Sequence, residues 1–209
     1  MDLFEVFPTI ISKSHYTNNE DLKKSVERII SVAEREDIQQ YDHSVHYYET
    51  HGDFIEESSF LDFKNFLLTE SKIYLEKVYK IKSEMLITLG WINCANAGYR
   101  LETHNHANSI ISGTYFLNFN HTQHAALNFY RGNLGKNYQY FELAPSSYDR
   151  LNAKNCEFKN IIEGDLLLWP SYLEHGYSSN LTPGRTTISM NFMPTEINNG
   201  RYGFKILKL

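Results

Sequence analysis

Hydrophobic positions along the chain change their period near residue 83. Before it they recur at three- and four-residue spacing. After it they come as short alternating or continuous runs divided by Gly, Asn and Pro. From Asn19, the positions Leu22, Val26, Ile29, Ile30 and Val32/Ala33 fall on one face of a helix. Asn19 can cap it, and Glu20 and Asp21 suit its first turn. A second helix is predicted over 59–80, with Phe60, Phe63, Phe66/Leu67, Ile73/Tyr74 and Val78 on its apolar face. Ahead of both, residues 4–11 suggest a short strand broken at Pro8, a proline that an edge position tolerates. Residues 37–59 are polar, rich in His and Tyr and without period, which predicts a surface loop.

Beyond Ser83 the expected strands are 85–96, 99–104, 109–118, 127–130, 138–143, 156–162, 165–169, 176–178 and 186–192, with 202–209 as a further candidate. Short strands at this spacing imply a sandwich or barrel. Helices first and strands afterwards imply an α+β, mainly β fold with the helices packed outside the sheet. The expectation is one domain over 1–209, with 1–82 packing on a barrel core formed by 83–209. The long, polar, Tyr-rich stretch 131–155 reads as a lid or as a hairpin extension; Tyr138, Tyr140, Phe141 and Tyr148 within it are candidates to line a substrate groove.

Composition narrows the class. The 209 residues are 42% hydrophobic, enough to bury a sizeable core. The net charge of −5 argues against a nucleic-acid footprint, which would be basic and clustered. Cys94 and Cys156 cannot build a disulfide framework and are expected as buried or semi-buried thiols. The N-terminus has neither a basic n-region nor an apolar h-region, and no stretch approaches the ~18 apolar residues that span a membrane. A soluble, cytoplasmic protein is expected, and a homodimer is open to it.

The residues that can do chemistry lie in the second half. In an extended segment His104 and His106 point the same way, because strand side chains alternate. A third imidazole from a distant strand would complete a facial metal site with open positions. His175 is the candidate: it follows the buried-strand run Asp165-Leu-Leu-Leu-Trp-Pro170, which delivers it to a barrel rim. The strand after Arg185 alternates, with Arg185, Thr187, Ser189 and Asn191 on one face and Thr186, Ile188, Met190 and Phe192 on the other. Facing inward, Arg185 needs an anion. A small dicarboxylate suits a guanidinium, and Thr187 and Ser189 can donate further. Facing outward, Arg185 would pair with an Asp or Glu. Tyr115 shares a face with Ile111, Gly113 and Leu117 and reads as interior, its hydroxyl bonded to a carboxylate or to backbone. His43, His46, His51, His121 and His124 read as surface residues.

Trp91-Ile-Asn93, His104-Asn-His106, Ile111-Ser-Gly-Thr-Tyr115-Phe-Leu, Gly164-Asp-Leu-Leu-Leu-Trp-Pro170, His175 and Arg185-Thr-Thr-Ile-Ser-Met-Asn191-Phe together resemble a family of 2-oxoglutarate-dependent Fe(II) oxygenases found in marine bacteria and their phages. The likeness runs from Trp91 to Phe192. It implies a double-stranded β-helix, the jelly-roll barrel of cupins, with Fe(II) in its mouth and 2-oxoglutarate and O2 as cosubstrates. It further implies His104, His106 and His175 as metal ligands, Arg185 and Thr187 on the far carboxylate of 2-oxoglutarate, and Tyr115 and Asn93 as further cosubstrate contacts.

One departure stands out. The wider superfamily carries Asp or Glu where this chain has His106, which leaves the metal complex one unit more positive. Imidazole also suits Zn, Ni and Cu. Glu102, on the strand face of His104, is the alternative carboxylate ligand or outer partner. Two competing readings remain at this level: a cupin-type metalloenzyme that uses no 2-oxoglutarate, and a non-enzymatic binding barrel.

Overall fold

A computed structural model of the protein describes residues 8–32, 38–41, 44–47, 54–130, 155–198 and 200–206. Its strands form two principal sheets. Strand β1 (Ser12–His15) precedes helix α1 (Asn19–Val32), the strand pair β2 (Ile38–Tyr41) and β3 (Ser44–Tyr47), and helix α2 (Leu61–Tyr74). Helix α2 runs into a π-helical turn, Leu75–Tyr79, closed by Lys80 in the left-handed conformation at φ 59°. Then follow β4 (Met85–Ala95), β5 (Leu101–His104), β6 (Ile111–Asn118), β7 (Asn128–Tyr130), β8 (Asn155–Glu157), β9 (Asp165–Pro170), β10 (His175–Tyr177) and β11 (Arg185–Pro194). A small hairpin, β12 (Glu196–Asn198) with β13 (Gly203–Lys205), ends the described chain.

The large sheet has the order β1-β9-β6-β11-β4-β3-β2 and the small one β5-β10-β7-β8. From β4 to β11 the chain passes back and forth between them. The eight strands divide four and four, the jelly-roll arrangement expected from the sequence. The two faces of the large sheet have different partners. Ile188, Met190 and Phe192 of β11 pack with Leu22 and Val26 of α1 and with Phe63 and Leu67 of α2. Phe116, Leu167 and Trp169 face the other way and pack with Phe129 and Tyr177 of the small sheet. The alternation of β11 places Arg185, Thr187 and Ser189 on this inner side, against a cavity between the sheets.

Three expectations change. The first strand begins at Ser12, beyond Pro8, although it does hold the edge of its sheet. Residues 1–7 lie outside the described residues. The supposed loop 37–59 contains β2 and β3, and β3 extends the large sheet by pairing with β4, Ser44 opposite Ala95 and His46 opposite Asn93. Backbone hydrogen bonding needs no apolar alternation, so this polar segment hid its strands. His43, His51, the strand expected at 138–143 and the lid candidates Tyr138, Tyr140, Phe141 and Tyr148 fall outside the described residues. Finally, Cys156 is exposed rather than buried; Cys94 is half-buried, and both are free thiols. No helix among the described residues is long and apolar enough to cross a membrane.

Candidate active site

Three imidazoles meet at the junction of β5 and β10. Antiparallel pairing puts His175 directly opposite His104, with ring centroids 4.4 Å apart. His106 lies two residues past His104, outside the strand. Its backbone N–H donates to the Ser171 carbonyl at 3.0 Å, which turns its ring back to 5.1 Å from each of the other two. The spacing of the two histidines thus survives, although the strand that was to carry both ends at His104. One ring nitrogen from each histidine lies within 4.8 Å of the others, close enough for one metal ion.

The tautomers can be read from the hydrogen bonds. His104 Nδ1 donates to the Glu102 carbonyl at 2.8 Å, and His175 Nδ1 donates to the Leu173 carbonyl at 2.9 Å. A carbonyl only accepts, so each neutral ring carries its proton on Nδ1 and its lone pair on Nε2. Backbone carbonyls thereby orient two ligand lone pairs, as outer partners do around metal-bound histidine. Burial pushes the His175 pKa down to about 3, with His104 and His106 adding repulsion. Burial, then His104, pushes His106 down to about 4. Both rings are neutral at pH 7, the state that binds metal.

The Glu102 carboxylate takes no part in the cluster. Its side chain is 77% exposed and pairs with Arg100 Nε at 2.9 Å; only its carbonyl serves His104. Gly176 explains how the strands come so close. A Cβ there would sit 2.5 Å from the Leu101 carbonyl oxygen and 3.2 Å from that of Glu102. Any larger residue would displace the backbone that aims His104.

The histidines open on a cavity of about 560 Å³ that Asn93, Arg185, Thr187 and Ser189 also line. Arg185 is 1% exposed, and no carboxylate among the described residues pairs with it. Its Nε donates to the Ala125 carbonyl at 3.1 Å, and its guanidinium lies over the Tyr177 ring, 4.1 Å from the centroid. Burial alone works against its charge, and the phenols of Tyr177 and Tyr99 work weakly in favour of it. A buried cation with no carboxylate among the described residues, on the wall of a cavity, can receive an anion there.

Its support lies in residues the sequence did not reveal. Asn180 accepts from the Ala125 N–H at 3.0 Å, and its amide nitrogen donates to the carbonyls of Ala95, Asn96 and Thr182. Ala125 holds the arginine Nε, and Ala95 is its register partner on β4, so one buried amide ties together two segments that frame Arg185. His124, expected at the surface, is buried beneath them: Nδ1 accepts from the Asn120 N–H and Nε2 donates to the Pro183 carbonyl. Burial, opposed by the Pro183 bond and joined by repulsion from Arg185, keeps its pKa below the usual histidine value.

Tyr115 is not on the cavity wall. It points to the helix side of the large sheet, 4.8 Å from the Phe63 ring, and its hydroxyl donates to Asn19 Oδ1 at 2.6 Å. Asn19, expected as a cap, instead joins helix to sheet, its amide nitrogen donating to the Leu117 carbonyl and to Glu163. The inner face of β6 belongs to Ser112, Thr114 and Phe116, and Thr114 bonds Ser189 across the cavity wall at 3.0 Å. Tyr115→Phe should therefore cost about 1 kcal/mol of stability in a denaturant melt while leaving ligand binding in the cavity unchanged. A loss of 2-oxoglutarate affinity in that variant would contradict this placement.

Residues 90–191 match the family described as Putative 2OG-Fe(II) oxygenase. That segment, just under half of the chain, is what the protein shares with the 2OG-Fe(II) oxygenases. No curated protein sequence matches it. Among solved structures, HygX from Streptomyces hygroscopicus, with nickel, 2-oxoglutarate and hygromycin B bound, shares the fold at a TM-score of 0.61 and 13% identity, over 90% of this chain and 84% of that one. The epimerase SnoN, in complex with Fe3+, alpha ketoglutarate and nogalamycin RO, matches at 0.60 and 11%, over 90% and 80%. A prolyl-4-hydroxylase from Pseudomonas putida matches at 0.55 and 8%, over 89% and 93%. At these identities the structural likeness speaks for the jelly roll alone.

Proposed function

We propose that the protein is a 2OG-Fe(II) oxygenase that hydroxylates a substrate yet to be identified, consuming 2-oxoglutarate and O2 and releasing succinate and CO2. The observation that carries the proposal is the joint placement of the three imidazoles and the carboxylate-free Arg185 on one cavity. His104, His106 and His175 would hold the metal, two of them through Nε2. Their fit is the chemical one: three converging nitrogens, with the Nδ1 protons of His104 and His175 held by carbonyls and burial keeping His106 and His175 neutral. Bound Fe(II) with its keto acid supplies the oxidative chemistry, in which one oxygen atom of O2 enters succinate and the other the substrate.

The chain's own residues do the positioning. Arg185 would pair with the far carboxylate of 2-oxoglutarate, with Thr187 and Asn93 beside it on the cavity wall. His104, His106 and His175 contribute no negative charge, so charge compensation at a bound metal would fall more to the 2-oxoglutarate carboxylates. HygX with nickel and SnoN with Fe3+ illustrate that this fold accepts more than one metal. A cytoplasmic location belongs to the same reading and accords with two cysteines that form no disulfide.

The test is anaerobic. Fe(II)-loaded protein should develop a visible metal-to-ligand charge-transfer band as 2-oxoglutarate is added, saturating at one equivalent. Admitting O2 should then release succinate. Protein that loads Fe(II) but shows no band with 2-oxoglutarate would favour the metalloenzyme that does without it.

A further inference from the structure

Two buried side-chain donors on the cavity have no hydrogen-bond partner among the described residues: the indole nitrogen of Trp169 and the hydroxyl of Tyr177. The tyrosine carries the stronger argument. It is 3% exposed, yet its hydroxyl meets no acceptor in the described protein. Native folds rarely leave a buried hydroxyl unpaired, and those that persist mark a place for a ligand or an ordered water. Its surroundings define which ligand. The Arg185 guanidinium lies 4.1 Å from the centroid of its ring. Tyr177 also stands two residues after His175 on β10, so both side chains face the cavity. Two strand residues span about 6–7 Å, on the order of the length of a five-carbon diacid.

We propose that Tyr177 is a specificity-determining contact for the cosubstrate, its hydroxyl donating to the carboxylate that Arg185 pairs with. This rests on the 2-oxoglutarate reading above. The far carboxylate is then held from both sheets, by a guanidinium on β11 and a phenol on β10. The carboxylate can only accept, so the tyrosine keeps its proton and no proton is transferred. The contact selects for a keto acid with a second carboxylate over one without.

Tyr177→Phe removes the hydroxyl and keeps the ring beneath Arg185. Fe(II)-loaded wild-type and variant proteins are titrated anaerobically with 2-oxoglutarate and with pyruvate, a 2-keto acid lacking the far carboxylate, and the charge-transfer band is followed. The variant should bind 2-oxoglutarate about 10- to 100-fold more weakly, as expected for a lost hydrogen bond to a charged group. Its affinities for Fe(II) and for pyruvate should be unchanged. Ligand-free, it should melt at or above the wild-type temperature, because an unpaired polar group has been removed.

Equal 2-oxoglutarate affinity in the two proteins would overturn the assignment. So would an equal loss for both keto acids, or a ligand-free variant that is destabilised or fails to fold, since the hydroxyl would then act inside the fold. A wild-type protein that binds Fe(II) but not 2-oxoglutarate would remove the underlying reading as well. That outcome is separate from one in which the wild type binds normally and the variant matches it.

Discussion

His175→Ala protein is expected to lose metal and activity together. His175 is opposite His104 in the β5–β10 ladder, and its Nδ1 proton is fixed on the Leu173 carbonyl, so its Nε2 lone pair has a set direction. Losing an outer partner of a metal-bound histidine alone costs about 10- to 100-fold in metal affinity. Losing the ligand should cost more, with Fe(II) affinity falling by over about a hundredfold in a chelator competition. The ring also packs against Trp169 at 4.8 Å and Phe129 at 6.3 Å, so truncation leaves a small cavity worth about 1–3 kcal/mol. The two effects separate if melts are run with and without chelator. The cavity lowers the metal-free melting temperature, whereas loss of the ligand abolishes the rise that metal produces in the wild type. A variant that still loads one equivalent of Fe(II) tightly would take His175 out of the ligand set.

The fold and the centre of the site were legible where side-chain pattern and backbone geometry agree. Strand β11 is the clearest case: alternation puts Arg185, Thr187 and Ser189 on one face, and the structure turns that face, which the sequence left free to point in or out, to the cavity. The histidine pair was legible because i, i+2 spacing brings two rings together even where the strand ends early. Helix α1 was legible from Leu22 and Val26, both buried against the large sheet.

Strand β6 shows why alternation can fail. Ile111 to Leu117 are all buried, so neither face announces itself. Tyr115 is interior, as its face with Ile111, Gly113 and Leu117 suggested, but on the helix side of the sheet; cross-strand pairing tells the sides apart, because Thr114 stands opposite Ser189 of the polar face. Asn180, Ser171 and Gly176 were invisible for another reason. Asn180 and Ser171 act through backbone bonds to segments distant in sequence, and Gly176 acts through the close approach of another strand. No local periodicity records such contacts. The β2–β3 pair was hidden because a ladder is held by main-chain groups that every residue shares.

Arg185→Met should leave the metal site intact and nearly abolish 2-oxoglutarate binding. Methionine matches the arginine stem in length and polarizable bulk but offers neither charge nor donors. Removing one partner of a buried charge pair typically costs about 2–5 kcal/mol, which is roughly 30- to several-thousandfold in affinity. The anaerobic charge-transfer titration would read that loss directly, with Fe(II) affinity within about twofold of the wild type. Arg185→Lys should recover only part of it, since an ammonium is a point charge and cannot grip a carboxylate through two parallel bonds. Stability decides whether the arginine serves a ligand or the fold. In the ligand-free protein the guanidinium is desolvated, and among the described residues it meets the Ala125 carbonyl and aromatic faces. Exchanging such a charge for an apolar side chain is often neutral or stabilising. Arg185→Met should therefore melt no lower than the wild type without 2-oxoglutarate and should gain nothing when it is added. A marked fall in the ligand-free melting temperature would mean that the cation holds the barrel together, and the cavity would lose the group that makes it a receptor for a diacid.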